Sequence, residues 1–301
     1  METGHYYLKK VAAVFGIDKE EGSRELFRDL EREGIILQFM SPEEFWMLVG
    51  QDANLGETFL KQKEVLWITD DGSVGEYFLK KSADILIYLH GDKRQEKFQG
   101  GKYVFEGPGE MTAEYLDRIY RRFHKLPWDI LETARCMIRE TVEEDISDFY
   151  EIYKDPEITE YMEDLYDDPE REREYIRQYR ENVYEFYEFG VWTVIKKDSG
   201  EIIGRAGLSM RAGCDDPELG FVIGKKWQRK GYAFEVLNAI LTYGVSELLM
   251  DKVQALVEPE NEPSLRLCRK LGFEKVCEVF ADGIRYERLI WKPKVYIKQF
   301  T

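Results

Sequence analysis

Apolar and polar positions over the first 130 residues switch between a helical and a strand period. In "GSRELFRDLEREG" Leu26 and Leu30 share one helical face, Ser23 stands ahead of them as N-cap and Gly34 closes the run, which predicts a helix over 24–33. A short apolar run, "IILQFM", follows, and Ser41-Pro42 opens a second helix in "PEEFWMLVGQ". "EVLWITDDG", residues 64–72, reads as a buried strand ending in an Asp-Asp-Gly turn, "VGEYFLKKS" as a helix and "ADILIYLHG" as another buried strand. "GEMTAEYLDRIYRRFHKLPWDI", residues 109–130, supplies a closing helix with Thr112 as cap and Pro127 as stop. Strands without polar alternation, separated by short helices, predict a parallel sheet covered on both faces. Residues 1–130 therefore read as a small Rossmann-like or flavodoxin-like α/β domain.

From Cys136 onward the order changes. "CMIRET" alternates as a strand, and Ile146, Phe149, Tyr150 and Tyr153 recur at helical intervals. A charged segment from 158 to 189 reads as mostly helical and ends near Gly190. "VWTVIKKDSGEIIGRAGLSMR" is a hairpin turning at "KDSG", and "PELGFVIG" is a further strand. An apolar-periodic helix, the strand "KVQALVEP", the short helix of "NEPSLRLCRKLGF" with a Gly272 stop, and two strands around Gly283 complete residues 131–301.

Composition narrows the classes. The chain has 301 residues, 44% of them hydrophobic, enough for two cores. A formal net charge of -16 without a local basic patch excludes general nucleic-acid binding and favours an amine-bearing partner. Cys136, Cys214, Cys268 and Cys277 form no C-x-x-C pair, and His5, His90 and His124 add no zinc spacing, so no metal site is expected. No apolar stretch approaches the roughly 20 residues that span a bilayer. "YYLKKVAAVFGI" lacks a signal-peptide cleavage site, and the reading is a cytoplasmic protein with free thiols. Asp70 and Asp71 at a strand end read as a charged turn or as a magnesium site, and "HGD" at 90–92 has the same two readings. The sequence sets no oligomeric state.

The most informative stretch is "WQRKGYAFEVLNAILTYGVSELL", residues 227–249. A helix start leaves backbone N–H groups without intrahelical partners and carries partial positive charge, so it binds phosphate. Gly231 removes the side chain that would block close approach, and Gln228, Arg229 and Lys230 add donors and charge. The preceding strand ends at Ile223, so a ligand running along it would present phosphates to this turn; a diphosphate on a long arm fits.

Gln228-Arg229-Lys230-Gly231-Tyr232-Ala233 matches the pyrophosphate motif of the GNAT superfamily of acyl-CoA-dependent N-acyltransferases, and Asn261 and Ser264 before "LGF" at 271–273 match its later element. Residues from about 135 to 293 resemble this family, in particular its ribosomal-protein N-acetyltransferase branch. The resemblance implies an α+β domain with a mixed, mainly antiparallel central sheet. It implies acetyl-CoA in a splay between the strands at 218–223 and 252–257, with backbone groups of Phe221, Val222 and Ile223 pairing with the pantetheine arm. Residues 229–233 would then hold the pyrophosphate, and Asn261 and Ser264 would contact the cofactor.

Direct transfer to an amine needs a base, a polarised thioester carbonyl and an acid for the thiolate. Glu218, at the start of the central strand, is the candidate base or a salt-bridged strand-end carboxylate. Many family members carry a tyrosine where this chain has Cys268, so the acid is reassigned to Tyr286 or Ser264, and Cys268 reads as packing more than as nucleophile. Nine acidic residues between Glu157 and Glu174, against Arg171 and Arg173, read as a steering field for a cationic acceptor, a protein or a small molecule, or as a solvated helix. Two other functions stay open: an acyl-CoA sensor without turnover, and a bifunctional protein using Asp70 and Asp71.

Overall fold

A computed structural model describes residues 6–15, 21–50, 63–88, 101–105, 111–211, 213–281 and 283–293, and the side chains of 21–25 and 27 lie outside that description. "HGD" at 90–92 also lies outside the described residues. The chain divides into two compact units, Met1–Leu126 and Pro127–Thr301.

The first unit is an α/β domain. It contains β1 (Lys10–Val14), α1 (Glu21–Arg32), β2 (Ile36–Met40), α2 (Pro42–Gly50), β3 (Val65–Thr69), α3 (Gly72–Lys80), β4 (Leu86–Tyr88), β5 (Tyr103–Phe105) and α4 (Ala113–Phe123). All five strands are parallel, in the order β2-β1-β3-β4-β5. This differs from the Rossmann order 3-2-1-4-5-6 and is the doubly wound order 2-1-3-4-5, so of the two α/β readings the strand order fits the flavodoxin-like one. Alternate residues feed two cores: Val11, Leu66 and Ile68 pack with Leu26, Leu30 and Leu116 on one face, and Ala12, Val14 and Trp67 pack with Phe45, Val74 and Phe78 on the other.

Local chemistry explains several boundaries here. Thr112 caps α4 through its hydroxyl, which accepts from Tyr115 N at 3.1 Å. Ser23 lies inside α1, which begins at Glu21, three residues before the expected start at 24. Helix α4 stops at Phe123, before Pro127 is reached. The apolar run "IILQFM" forms β2 at a sheet edge, where none of its residues is fully buried and Ile36 is 65% exposed. Asp71 caps α3: its Oδ1 accepts from Ser73 N and Val74 N, both at 2.9 Å. The Asp71 carboxylate is thus engaged at the start of α3, as in the charged-turn reading.

The second unit holds an eight-stranded mixed sheet, ordered β12-β13-β11-β10-β9-β8-β7-β6. Its strands are β6 (Asp129–Glu132), β7 (Cys136–Arg139), β8 (Val191–Lys196), β9 (Ile202–Ser209), β10 (Glu218–Ile223), β11 (Val253–Val257), β12 (Glu274–Ala281) and β13 (Ile284–Trp291). Every pairing is antiparallel except β10 with β11. Strand β6, "DILE", escaped the sequence reading because four residues after a proline carry too little period to register.

Helices α5 (Ile146–Tyr153), α6 (Pro156–Thr159) and α7 (Pro169–Tyr179) precede β8, and α8 (Tyr232–Ser246) and α9 (Glu262–Leu271) follow β10 and β11. The charged segment is mostly helical, as expected, and is divided into separate helices. Asp155-Pro156 and Asp168-Pro169 each start a new helix: the aspartate accepts from the N–H two residues on, at 3.1 and 3.0 Å, and the proline fills the first turn. A π-helical stretch, Arg180–Tyr184, then leads to a last turn ending at Glu188 with φ +59°. Val236, Leu237, Ile240 and Leu241 of α8 are fully buried against Trp192, Ala206, Leu208 and Val253 of the sheet. Each such side chain contributes about 1.5–3 kcal/mol.

Candidate acetyl-transfer site

The register between β10 and β11 consists of one pair, Glu218 with Gln254. Beyond it β10 continues to Ile223 while staying paired with β9, Phe221 to Ala206, Val222 to Arg205 and Ile223 to Gly204. The two central parallel strands therefore part after their first residues, and the edge of β10 at 219–223 faces a wedge-shaped gap rather than a strand. Phe221 is half-buried, and Val222 and Ile223 are buried. The side chains of Val222 and Ile223 are buried and that of Phe221 partly so, which leaves the backbone of this edge facing the gap.

A closed ring of polar groups holds the strands together where the gap begins. Gln254 is fully buried, its Nε2 donates to Asp216 O at 3.2 Å, and its Oε1 accepts from Arg288 Nε at 2.9 Å. Arg288 in turn donates to Asp216 Oδ2 at 2.8 Å. These residues sit far apart in sequence, and no local pattern announces them.

At the far end of β10, a 3-10 turn, Lys225–Trp227, leads through Gln228 into α8. Gly231 is the N-cap residue with φ +85°, no side chain caps the helix start, and Arg229 is also left-handed at φ +58°. A side chain at Gly231 would be strained by that φ, and the first-turn N–H groups of α8 lack a side-chain acceptor.

Not every predicted donor points to a ligand. Gln228 Nε2 donates to Ile223 O at 2.9 Å, and Lys230 Nζ donates to Lys226 O at 2.7 Å, so both brace the turn. Lys226 pairs with Glu201 at 2.7 Å and Lys225 pairs with Glu157. Arg229 is exposed and has no ion pair among the described residues. Tyr232 is buried in the core, and Ala233 is half-buried.

The turn has a support that the sequence reading missed. Arg135, just before β7, stacks over the Tyr232 ring at 4.2 Å from its centroid, pairs with Glu235 at 2.7 Å and donates to Lys230 O at 3.1 Å. Glu235 also accepts from Thr133 Oγ1 at 2.7 Å and Arg135 N at 2.9 Å. Burial opposes its ionisation, yet these hydrogen bonds outweigh burial and hold Glu235 below the usual carboxylate range. A carboxylate in the first turn of α8 also sits favourably in the helix dipole. The only sequence signal was a glutamate shortly after the glycine.

Around the other end of the gap, Glu218 Oε2 accepts from Arg211 Nε at 2.8 Å, and the Arg211 guanidinium lies 5.9 Å from the Tyr286 ring centroid. The salt-bridged reading of Glu218 is thus realised, and Arg211 gathers two of the three candidate catalytic side chains. The third, Ser264, lies in the first turn of α9, where Asn261 is the cap and its Oδ1 accepts from Ser264 N at 3.2 Å. Cys268 is fully buried within α9, and burial pushes its thiol up to about 11. Such a thiol stays protonated near neutrality and belongs to the packing.

The acidic segment is largely spent locally. Glu157 pairs with Lys225, Glu170 with Arg173 at 3.2 Å and Glu174 with Arg177 at 3.2 Å. Buried Glu172 accepts from Tyr166 N at 3.1 Å, and Asp168 caps α7.

Comparison with known proteins gives the same reading of this unit. The acetyltransferase (GNAT) domain family matches residues 135–274. An uncharacterized N-acetyltransferase, p20, of Bacillus licheniformis is 30% identical over 154 residues, covering 49% of this chain and 83% of the relative. The ribosomal protein uS5-alanine N-acetyltransferase of Escherichia coli is 40% identical over 80 residues, 26% of this chain and 41% of the relative. The structure of a ribosomal-protein-S5-alanine acetyltransferase from Vibrio fischeri is 17% identical with a TM-score of 0.47, covering 55% of this chain and 96% of that one. The described residues contain no helix long and apolar enough to cross a membrane. With a family match inside its second unit and a relative covered over most of its length, the chain belongs to the GNAT family of acetyltransferases and is an acyltransferase.

Proposed function

We propose that the second unit, Pro127–Thr301, moves an acetyl group from acetyl-CoA directly to a primary amine. The carrying observation is the gap between β10 and β11 that opens after Glu218–Gln254 and runs toward the uncapped, left-handed Gly231 start of α8. An extended pantetheine arm adds to the edge of β10 at Phe221–Ile223 as a strand would, and the backbone N–H groups of 231–233 receive the pyrophosphate. Arg229 adds the free positive charge at that turn. Asn261 and Ser264 flank the gap from the start of α9.

An alkylamine is protonated at neutral pH, with an ordinary pKa near about 10.4, so it must lose a proton before attack. Glu218 takes that proton, directly or through water, and Arg211 fixes the orientation of its carboxylate. The attacking nitrogen forms the C–N bond at the thioester carbon, the C–S bond breaks, and the thiolate collects a proton from Tyr286 or Ser264. Free thiols at Cys136, Cys214, Cys268 and Cys277 fit a reducing compartment such as the cytoplasm. The Escherichia coli relative acts on the alanine of a ribosomal protein, which makes a protein N-terminus one acceptor to screen beside polyamines and amino acids. The first unit, Met1–Leu126, is an accessory domain in this scheme.

Calorimetric titration of the full chain with acetyl-CoA, beside desulfo-CoA and adenosine diphosphate, tests the reading. Saturable binding of acetyl-CoA, tighter than that of the nucleotide, is expected. A folded protein that does not bind acetyl-CoA would remove the transferase site from this gap.

A further inference from the structure

Among the described residues, three glycines lie inside strands of the second unit: Gly204 and Gly207 of β9 and Gly220 of β10. Glycine weakens a strand interior, and where it stands there the usual causes are a special φ, a close backbone or a ligand. Two of the three are explained by a close backbone. A Cβ at Gly204 would stand 2.1 Å from Val222 O, and a Cβ at Gly207 would stand 2.0 Å from Gly190 O. Gly220 has no such cause. Its φ lies outside the left-handed region, and a Cβ built on it meets no heavy atom within 4 Å beyond its flanking residues.

This open position lies in the middle of the central strand. Gly220 is paired with Gly207 on its β9 side, while on its other side is the gap, because β11 leaves β10 after Glu218–Gln254. Leu219 and Val222 are buried, whereas Gly220 is partly accessible. Side chains alternate along a strand, so the empty place at Gly220 is on the face shared by Glu218 and Val222, the face where Val222 meets Phe149, Ile152 and Tyr153 of α5. Over Gly207 that face is closed by the Gly190 carbonyl, so the room is confined to Gly220 and the gap beside it. Glu218 is two residues away, roughly 6.5–7 Å along the strand. A nitrogen hydrogen-bonded to its carboxylate can place its attached carbon over Gly220, next to an acyl group carried along the gap edge of β10.

We propose that the open position at Gly220 is the acceptor subsite, holding the carbon bonded to the reacting amine, and that the missing side chain leaves room for a branch on that carbon. The proposal rests on the acetyl-transfer reading above and narrows its acceptor to primary amines on a substituted carbon, such as the α-amino group of an amino acid or peptide.

The test uses two CoA derivatives whose binding needs no turnover: S-carbamoylmethyl-CoA, which ends in an unsubstituted amide, and its N-isopropyl amide, which carries a branched carbon on that nitrogen. Each is titrated calorimetrically into the full chain beside acetyl-CoA. Wild type is expected to bind the isopropyl amide at least about threefold more tightly than the unsubstituted one, through the apolar area it buries. Gly220→Val should weaken the isopropyl amide by about tenfold or more while leaving the unsubstituted amide within about twofold, and Gly220→Ala should do the same to a smaller degree. The Tm should not fall in Gly220→Ala, because its Cβ enters open space. Should Gly220→Val fail to fold, Gly220→Ala carries the comparison. A wild type that binds acetyl-CoA but prefers the unsubstituted amide, or binds neither amide, overturns the proposal. So does a folded Gly220→Val that binds the isopropyl amide as wild type does, or one that loses both amides equally, since the space would then belong to the cofactor. A wild type that does not bind acetyl-CoA is a separate outcome, which sinks the acetyl-transfer reading and this proposal with it.

Discussion

Glu218 Oε2 and Arg211 Nε lie 2.8 Å apart at the mouth of the gap between β10 and β11, and Arg211 also faces the ring of Tyr286. If Glu218 removes the acceptor's proton, Glu218→Gln keeps the shape and loses the base. Turnover, followed as CoA release with the best amine from a screen, should fall by about 100-fold, the lower end of the range for general bases. The acetyl-CoA Kd should stay within a factor of two or so, because Glu218 is not placed against the pyrophosphate turn. Unchanged turnover would move the base elsewhere.

Gly231→Val addresses the other end of the site. A left-handed φ costs a side-chain-bearing residue roughly 1–2 kcal/mol, and a β-branched one more. The new side chain would also crowd the N–H groups offered to the pyrophosphate. Acetyl-CoA affinity should drop by at least about tenfold in calorimetry, and Tm should fall by several degrees. A folded variant that binds as wild type does would contradict the placement of the phosphates.

These two ends were legible in the sequence because they are local. A glycine four residues after Trp227, between basic residues and an apolar-periodic helix, says where a helix starts and what it leaves open. Asp216, Gln254 and Arg288 were not legible, since the ring they form joins β11 and β13 to the loop before β10 through residues with no shared period. Arg135 was missed for the same reason: its partner Glu235 is 100 residues away. The charged segment was legible as mostly helical but not in its division. Its composition favours helix throughout, while two Asp-Pro steps restart the chain at 156 and 169.

The Arg135–Glu235 pair should couple the β6–β7 turn to the start of α8. A double-mutant cycle with Arg135→Ala and Glu235→Gln, read by denaturant unfolding, should give a coupling of about 0.5–1 kcal/mol, since the pair is partly exposed. Its pH dependence has a definite sign. Glu235 is held below its ordinary pKa, so its contribution is complete above the unfolded-state value and is lost as pH falls through the lower folded value. Glu235→Gln should flatten that acid limb, and acetyl-CoA binding should weaken only a few-fold.

In the first unit, Asp71→Ala removes the oxygen that receives Ser73 N and Val74 N. Loss of such a cap costs about 1 kcal/mol. Because the carboxylate is spent on α3, added magnesium should leave Tm the same in wild type and variant. A magnesium-dependent rise in Tm that disappears with Asp71 would revive the metal reading of the Asp70-Asp71 pair.

Cys268 gives an alkaline prediction. Its thiol is pushed up to about 11 in the folded protein, while an unfolded cysteine titrates near about 8.5. Between those values the unfolded chain has released the proton and the folded chain still holds it, so stability falls as pH rises across the window. At about 1.4 kcal/mol per unit, the loss by pH 11 is on the order of 3 kcal/mol. Cys136, raised mainly by burial, adds to the same limb. Cys268→Ala should lower stability at neutral pH by about 1 kcal/mol through lost packing, yet make the alkaline slope shallower by up to one proton. Acetyl-CoA binding should persist in that variant. An unchanged slope, measured by urea unfolding from pH 8 to 11, would mean that the thiol is not buried as the packing of α9 requires; loss of turnover at full stability would return Cys268 to the catalytic candidates.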